Sequence, residues 1–98
     1  MGSPGPEVYL VSLGAAALKK NRIIAGELRR NGIPVMLEAE EKSMKSQMRS
    51  ADRLKARNVF ILGESERASG QAVLKRMADG SQQTIALDSL EEILKNEQ

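Results

Sequence analysis

The sequence lacks histidine, cysteine and tryptophan, and its 98 residues include one tyrosine and one phenylalanine. Without imidazole and thiol groups, Ser-His-Asp and Cys-His catalysis and the usual zinc ligand sets are excluded. Carboxylate pairs are the acid–base groups that remain, but the clusters here lie on polar segments typical of solvated charges. We therefore predict no catalytic residue and no metal site in this chain.

Long apolar runs are also absent. No stretch approaches the roughly 20 apolar residues needed to span a bilayer, and the N-terminus has no basic segment followed by an apolar one. The lack of cysteine is compatible with a reducing compartment. We expect a cytoplasmic protein with no membrane partner, in which residues 1–6 (MGSPGP) are a tag or linker remnant and residues 7–98 form one domain.

Apolar and polar segments alternate along the chain. Apolar runs predict strands at 8–13, 33–37 and 58–62, and amphipathic patterns predict helices at 15–31 and 43–56. Two more polar strands, at 71–77 and 82–86, flank the turn signal Asp79-Gly80, and a capping box from Asp88 to Glu91 begins a last helix. This pattern predicts an α/β fold with a five-stranded mixed sheet and three helices.

Four local features refine this prediction. Pro34 cannot donate to a strand ladder, which places 33–37 at a sheet edge. Asn21 falls within the apolar side of the first helix, where a hydrogen-bonded core amide is expected. The turn SLGAAA after the first strand lacks the glycine spacing of a dinucleotide loop. The polar segment GESERASG is predicted to be a loop at the carboxyl end of the sheet, where α/β proteins usually bind ligands.

Charge is distributed unevenly, although the formal net charge is only +2. Residues 42–58 carry six basic and one acidic side chain, whereas residues 59–98 carry four basic and seven acidic ones. Five cations at or near the second predicted helix are spaced three or four residues apart and share one face: Lys42, Lys45, Arg49, Arg53 and Arg57. Such a face is either a solvated surface or a binding surface for phosphates.

The two aromatic residues limit the kind of nucleic-acid site that is possible. Tyr9 and Phe60 both lie in predicted buried strands, so no exposed rings are available to stack on successive bases. Any contact with bases must therefore come from hydrogen-bonding side chains on loops and strand ends.

Several stretches occur in an order that resembles the C-terminal anticodon-binding domain of the class IIa aminoacyl-tRNA synthetases, most closely the histidyl branch. They are VYLVSLG, LRRNGIPV, KSMKSQMRSADRLKARNVFILGESE and LDSLEEIL. The third is the most specific, because a basic K-x-Q-x-x-x-A-D helix leading into I-L-G-E-x-E is typical of the histidyl branch. The resemblance spans Glu7 to Leu94, and it implies a three-layer α/β/α fold with strand order 2-1-3-4-5.

The resemblance also implies a function, which is to hold the anticodon stem-loop of histidine tRNA for a catalytic domain of a longer ligase. Position by position, it implies that the start of the second helix contacts RNA backbone and loop, that Glu66 and Lys75 face anticodon bases, and that Glu64 and Gln71 lie beside them. The helix residues are Lys42, Ser43, Lys45, Gln47 and Arg49. This chain departs from many relatives in having Ala39-Glu40-Glu41 before the helix and Ser46 in place of a lysine.

Under this resemblance no cofactor binds this chain, and ATP and magnesium belong to the catalytic core of the longer enzyme. The fragment is expected to be monomeric and the longer ligase to be a homodimer. An alternative is the same domain in a regulatory synthetase-like paralogue that acts as a protein-interaction subunit of ATP phosphoribosyltransferase. A third possibility is a small α/β ligand-binding domain whose charge pattern has no functional meaning.

Overall fold

The computed structural model describes residues 5–97, so residues 1–4 of the predicted tag or linker remnant lie outside the described residues. Its centre is a five-stranded mixed sheet in the order β2-β1-β3-β4-β5, which confirms the predicted sheet. The first three strands are parallel, and β4 and β5 are antiparallel additions. The strands are β1 Val8–Ser12, β2 Val35–Leu37, β3 Asn58–Leu62, β4 Gln71–Arg76 and β5 Gln82–Ala86.

The β2 strand lies at the sheet edge, as the proline predicts. Pro34 directly precedes β2, and its carbonyl accepts a hydrogen bond from the Glu7 amide at 2.9 Å. Pro6 also contacts the domain, because its carbonyl accepts from the Arg57 amide at 3.1 Å. The assignment of residues 1–6 to a tag or linker stays a prediction, but Pro6 is tied to the turn between α2 and β3.

The described residues contain four α-helices, so the predicted number of three is wrong. They are α1 Ala15–Arg30, α2 Met44–Arg53, α3 Glu64–Ser69 and α4 Leu90–Asn96. The additional helix, α3, occupies the segment predicted as a polar loop. None of its six residues is buried, so the segment carries no apolar periodicity by which a helix is recognised in sequence.

The predicted capping box is also wrong in detail. Asp88 lies in a 3₁₀ turn, Leu87–Ser89, and α4 begins only at Leu90, with no side-chain hydrogen bond at its N-cap Ser89. The Glu91 carboxylate instead pairs with Lys95 at 3.1 Å and accepts from Asn31 Nδ2 at 3.0 Å. The turn shifts the helix start by one residue, and this moves Glu91 out of the position that a capping box requires.

The sheet has a different apolar cluster on each face. On one face, α1 and α4 pack on side chains such as Leu10, Phe60 and Leu74, and fifteen buried hydrophobic residues form this large cluster. On the other face, α2 packs through Ala51 on Tyr9, Val11 and other residues, and only five are buried in this small cluster. The three-layer α/β/α architecture is therefore confirmed, and both aromatic residues are core residues, as predicted.

Candidate nucleic-acid interface

The carboxyl ends of the three parallel strands bring the starts of three helices to one edge of the sheet. The β1 strand runs through Gly14 into α1, β3 runs through Gly63 into α3, and residues 38–43 connect β2 to α2. Gly14 has a φ of 109°, which L side chains rarely adopt. We call this region, made of residues 38–49, 63–66 and 71, the carboxyl edge.

The α2 helix presents a basic surface at this edge. Ser43 is the N-cap, as predicted, and its Oγ accepts a hydrogen bond from the Ser46 amide at 3.1 Å. Lys45, Arg49 and Arg53 are exposed on the helix. The predicted row of five helical cations is too long, because Lys42 precedes the N-cap and Arg57 follows the helix.

The position of Gln47 differs from its predicted role in RNA contact. Its side chain is 2% exposed, and both ends of its amide are occupied by backbone groups. Oε1 accepts from the Ser12 amide at 2.8 Å, and Nε2 donates to the Ser12 carbonyl at 2.8 Å and to the Lys42 carbonyl at 2.9 Å. A side chain so enclosed is not available to RNA, and we correct its assignment from contact residue to structural residue.

Ser12 joins β1 to both flanking helices. In addition to its backbone bonds with Gln47, its Oγ accepts from Asn21 Nδ2 of α1 at 2.8 Å. Asn21 is fully buried, as predicted, and its Nδ2 also donates to the Val11 carbonyl at 3.3 Å. Its Oδ1 has no hydrogen-bond partner among the described residues, so the amide is satisfied at its nitrogen alone.

The short α3 helix carries the two carboxylates that the resemblance singles out. Glu66 is half-buried, and its Oε2 accepts from the Ser65 hydroxyl at 2.9 Å. Its Oε1 lies against the Cα of Gly63, where a Cβ would collide with it. Glu64 is exposed and pairs with Arg67 at 3.3 Å. Gly63 therefore makes the room in which the Glu66 carboxylate folds back toward the carboxyl edge.

The β4 strand contributes Gln71 at this edge and Lys75 farther along. Lys75 pairs with Val59 in register, so it lies on the sheet face that carries α2. Gln71 is exposed and Lys75 is half-buried. Four residues of extended strand separate them by about 13 Å, so Lys75 lies well away from the carboxyl edge.

Two polar residues of β5 lie on the same sheet face but were not predicted from the sequence to be site residues. Gln82 pairs with Lys75 and Thr84 pairs with Val73, and both are exposed. The alternation around Ile85, which is buried on the opposite face, is the sequence signal that identifies them. They extend the polar surface from β4 to the sheet edge.

Glu38, in the acidic segment before α2, bonds to a buried phenol. The Tyr9 hydroxyl donates to Glu38 Oε2 at 2.8 Å. Burial of the ring, and then the hydrogen bond and negative charge of Glu38, raise the pKa of Tyr9 to about 12. One side chain of this acidic segment is thus held against the core.

Most residues of the carboxyl edge are exposed. A groove of about 690 Å³ lies at the amino end of β3, lined by residues that include Arg57, Asn58, Arg76 and Glu97. Among residues 5–97, no group of three or more acidic side chains is placed to hold a metal ion, and no helix has the length and apolarity to cross a membrane. The polar side chains of the carboxyl edge include cations, carboxylates and amides.

Comparison with known families defines the class of protein to which this fold and surface belong. The family described as "Anticodon binding domain" matches residues 7–97. The match covers more than nine-tenths of the chain, and the chain belongs to this family.

Individual relatives point to one branch. The chain is 45% identical over 91 residues to the histidine–tRNA ligase of Syntrophotalea carbinolica and 42% identical over 84 residues to that of Pelobacter propionicus. These alignments cover 93% and 86% of this chain. They cover 22% and 20% of the two ligases, so the chain spans about a fifth of the curated relatives it matches.

Solved structures agree on the fold. The apo histidyl-tRNA synthetase of S. aureus superposes with a TM-score of 0.89 at 29% identity, over 94% of this chain and 27% of that one. The RNA-binding domain of threonyl-tRNA synthetase from Cryptosporidium parvum superposes at 0.82 with 17% identity, over 93% of this chain and 23% of that one. The second likeness concerns the fold alone.

Proposed function

We propose that this chain binds the anticodon stem-loop of histidine tRNA, as the anticodon-binding module of a histidine–tRNA ligase. The observation that supports this proposal best is the exposed basic surface of α2 beside the α3 carboxylates, in a chain of the anticodon-binding family. The similarity to histidine–tRNA ligases supports the choice of tRNA.

Phosphates are the natural ligands of the α2 surface. Lys42, Lys45 and Arg49 are exposed and form no ion pair within residues 5–97. Each cation that neutralises a phosphate releases condensed counterions, which makes binding stronger at low salt. Such contacts orient the RNA but carry no sequence information.

Specificity requires contacts to base edges. A carboxylate accepts hydrogen bonds from the N–H groups of guanine or cytosine, and the unstacked bases of a loop expose these edges. Glu66 is suited to this role because it lies at the carboxyl edge, where the absence of a side chain at Gly63 leaves room for its carboxylate. Glu64 and Gln71 lie beside it as further polar contacts for loop nucleotides, and Lys75, about 13 Å farther along β4 than Gln71, would contact a different nucleotide.

The longer enzyme would supply the chemistry. In this proposal its catalytic core activates histidine with ATP and magnesium, and this domain positions the tRNA so that the acceptor end reaches that core. The partners of this chain are then the anticodon loop and the catalytic domain, with a monomeric fragment and a homodimeric ligase. No residue of the chain is assigned a catalytic role.

Titration of the 98-residue chain with two stem-loops tests the function. We expect tighter binding to the histidine tRNA anticodon stem-loop than to an unrelated stem-loop, with affinity that falls as salt is raised. Equal affinities for the two stem-loops at all salt concentrations, or an affinity that does not depend on salt, would contradict the proposal.

Two sets of variants separate positioning from specificity. Charge reversal at Lys45 and Arg49 is expected to weaken binding to both stem-loops alike and to make the salt dependence shallower. Glu66→Ala is expected to reduce the preference between stem-loops, since a good base contact contributes about 1 to 3 kcal/mol of discrimination. An unchanged preference in Glu66→Ala would show that this carboxylate does not contact bases.

A further inference from the structure

The buried Gln47 amide ties the start of α2 to the end of β1. It accepts from the Ser12 N–H and donates to the Ser12 carbonyl, both at 2.8 Å, and it also donates to the Lys42 carbonyl at 2.9 Å. One uncharged side chain therefore connects a core strand, the first turns of α2 and the residue that precedes its N-cap.

Gln47 continues the hydrogen bonding of β1 beyond the last residue that pairs with β2. The pairing between β1 and β2 ends at Leu10 and Leu37, two residues before Ser12. The Gln47 amide supplies the acceptor and the donor that Ser12 needs beyond this point. Because unpaired buried backbone groups are costly, Ser12 strongly favours a conformation in which Gln47 stays bound.

Apolar packing holds α2 only weakly. The buried residues of this ten-residue helix are Gln47, Ser50 and Ala51, and the half-buried Met48 packs against the small cluster beside them. Its exposed cations Lys45, Arg49 and Arg53 are four residues apart and repel one another. The amide is thus a large part of what fixes the amino-terminal half of the helix to the sheet.

We propose that Gln47 is a positioning residue for RNA binding. Without touching RNA, its amide holds Lys42 and Lys45 at the spacing at which both neutralise phosphates. The inference rests on the proposed function. It gives the glutamine of the K-x-Q motif, Gln47, a structural position inside the protein.

The salt dependence of RNA binding tests this role, because Gln47 has no charge. In Gln47→Met, which keeps the length of the side chain but loses the amide, we expect the plot of log affinity against log salt to become shallower by about one to two units, roughly one for each cation displaced. A role limited to overall stability, or a direct contact from Gln47 to RNA, would lower affinity and leave the slope at the wild-type value. An unchanged slope overturns the proposal.

Asn21→Ala is the matched control. It removes another buried amide from Ser12, but one that belongs to α1, and we expect it to lower stability while it keeps the wild-type slope. Equal slope changes in both variants would overturn the proposal, since general loosening would then explain them. Circular dichroism and thermal unfolding establish that each variant is folded.

A second variant covers the case in which Gln47→Met does not fold. Gln47→Asn keeps the amide on a side chain one methylene shorter, which cannot reach Ser12 and Lys42 together, and its slope is expected to lie between wild type and Gln47→Met values. A wild-type slope in Gln47→Asn would then overturn the proposal. If the wild-type chain itself shows no salt-dependent RNA binding, the proposed function fails, which is distinct from a failure of Gln47 alone.

Discussion

Tyr9 is the residue whose ionisation reports most directly on the packing beneath α2. Its ring is 1% exposed, and its hydroxyl donates to the Glu38 carboxylate. Ionisation would place a phenolate in a buried site next to a negative charge, which is why its pKa rises from 10.0 to about 12. The neutral phenol stabilises the folded state fully below pH 10, and this contribution is lost as the pH rises through about 12.

The titration of this residue is directly measurable, because the chain has one tyrosine and no tryptophan. We predict that the near-ultraviolet absorbance of tyrosinate appears at a midpoint of about 12 in the folded protein, and at an ordinary tyrosine pKa in denaturant. Glu38→Gln should lower the folded midpoint, because it removes the negative charge next to the phenol. A folded midpoint at the ordinary value would show that the Tyr9 hydroxyl is solvated.

Gln47 and Asn21 are both buried amides, but only the burial of Asn21 could be predicted from the sequence. Asn21 was recognisable as a core amide because it interrupts an apolar helix face. Gln47 lies among lysines and arginines, and polar neighbours predict exposure. Its burial depends on the early end of β2 at Leu37, which leaves Ser12 to be paired. A local pattern carries no information on that long-range requirement.

At the scale of elements, the strands were largely predictable. Buried apolar runs identified β1 and β3, and Pro34 identified the edge position of β2. The order of the strands came from the resemblance and not from the pattern. The α3 helix was missed because none of its residues is buried. The carboxylates of the candidate site were therefore identified, but the helix that positions them was not.

Gly70 gives a prediction on how α3 ends. Gly70 stops the helix with a φ of 76°, and no atom lies within 4 Å of where a Cβ would stand. Gly70→Ala should therefore lower the free energy of unfolding by about 1 to 2 kcal/mol through backbone strain alone.

Gly26 is the matched control for this prediction. It lies inside α1, and a Cβ there would meet only the guanidinium of Arg30 at 3.6 Å, which is an ordinary contact. Gly26→Ala should raise the free energy of unfolding by about 0.5 to 1 kcal/mol. Urea unfolding measures both effects, and a shift of the same sign in the two variants would contradict the role assigned to Gly70.

At the scale of the whole molecule, the two sides of the sheet differ in the amount of buried apolar surface. The cluster on the side of α1 and α4 has fifteen buried hydrophobic residues and the cluster on the side of α2 has five. The proposed RNA surface lies on the side of α2, which has fewer buried hydrophobic residues. Hydrophobic stabilisation scales with buried apolar area, so opening of α2 should cost less free energy than opening of α1.

Amide hydrogen exchange should make this asymmetry visible. We expect amides of α2 beyond its first turn, Met48–Arg53, to exchange through a local opening of lower free energy than those in the middle of α1, which should approach the global value. Gln47→Met should widen the difference, because it removes the polar tie to Ser12 and leaves α1 untouched. Bound RNA should narrow the difference, since a ligand that binds closed α2 stabilises that state. Equal protection of the two helices in the free protein would show that α2 opens only when the whole domain unfolds, and that the basic surface is as rigid as the core.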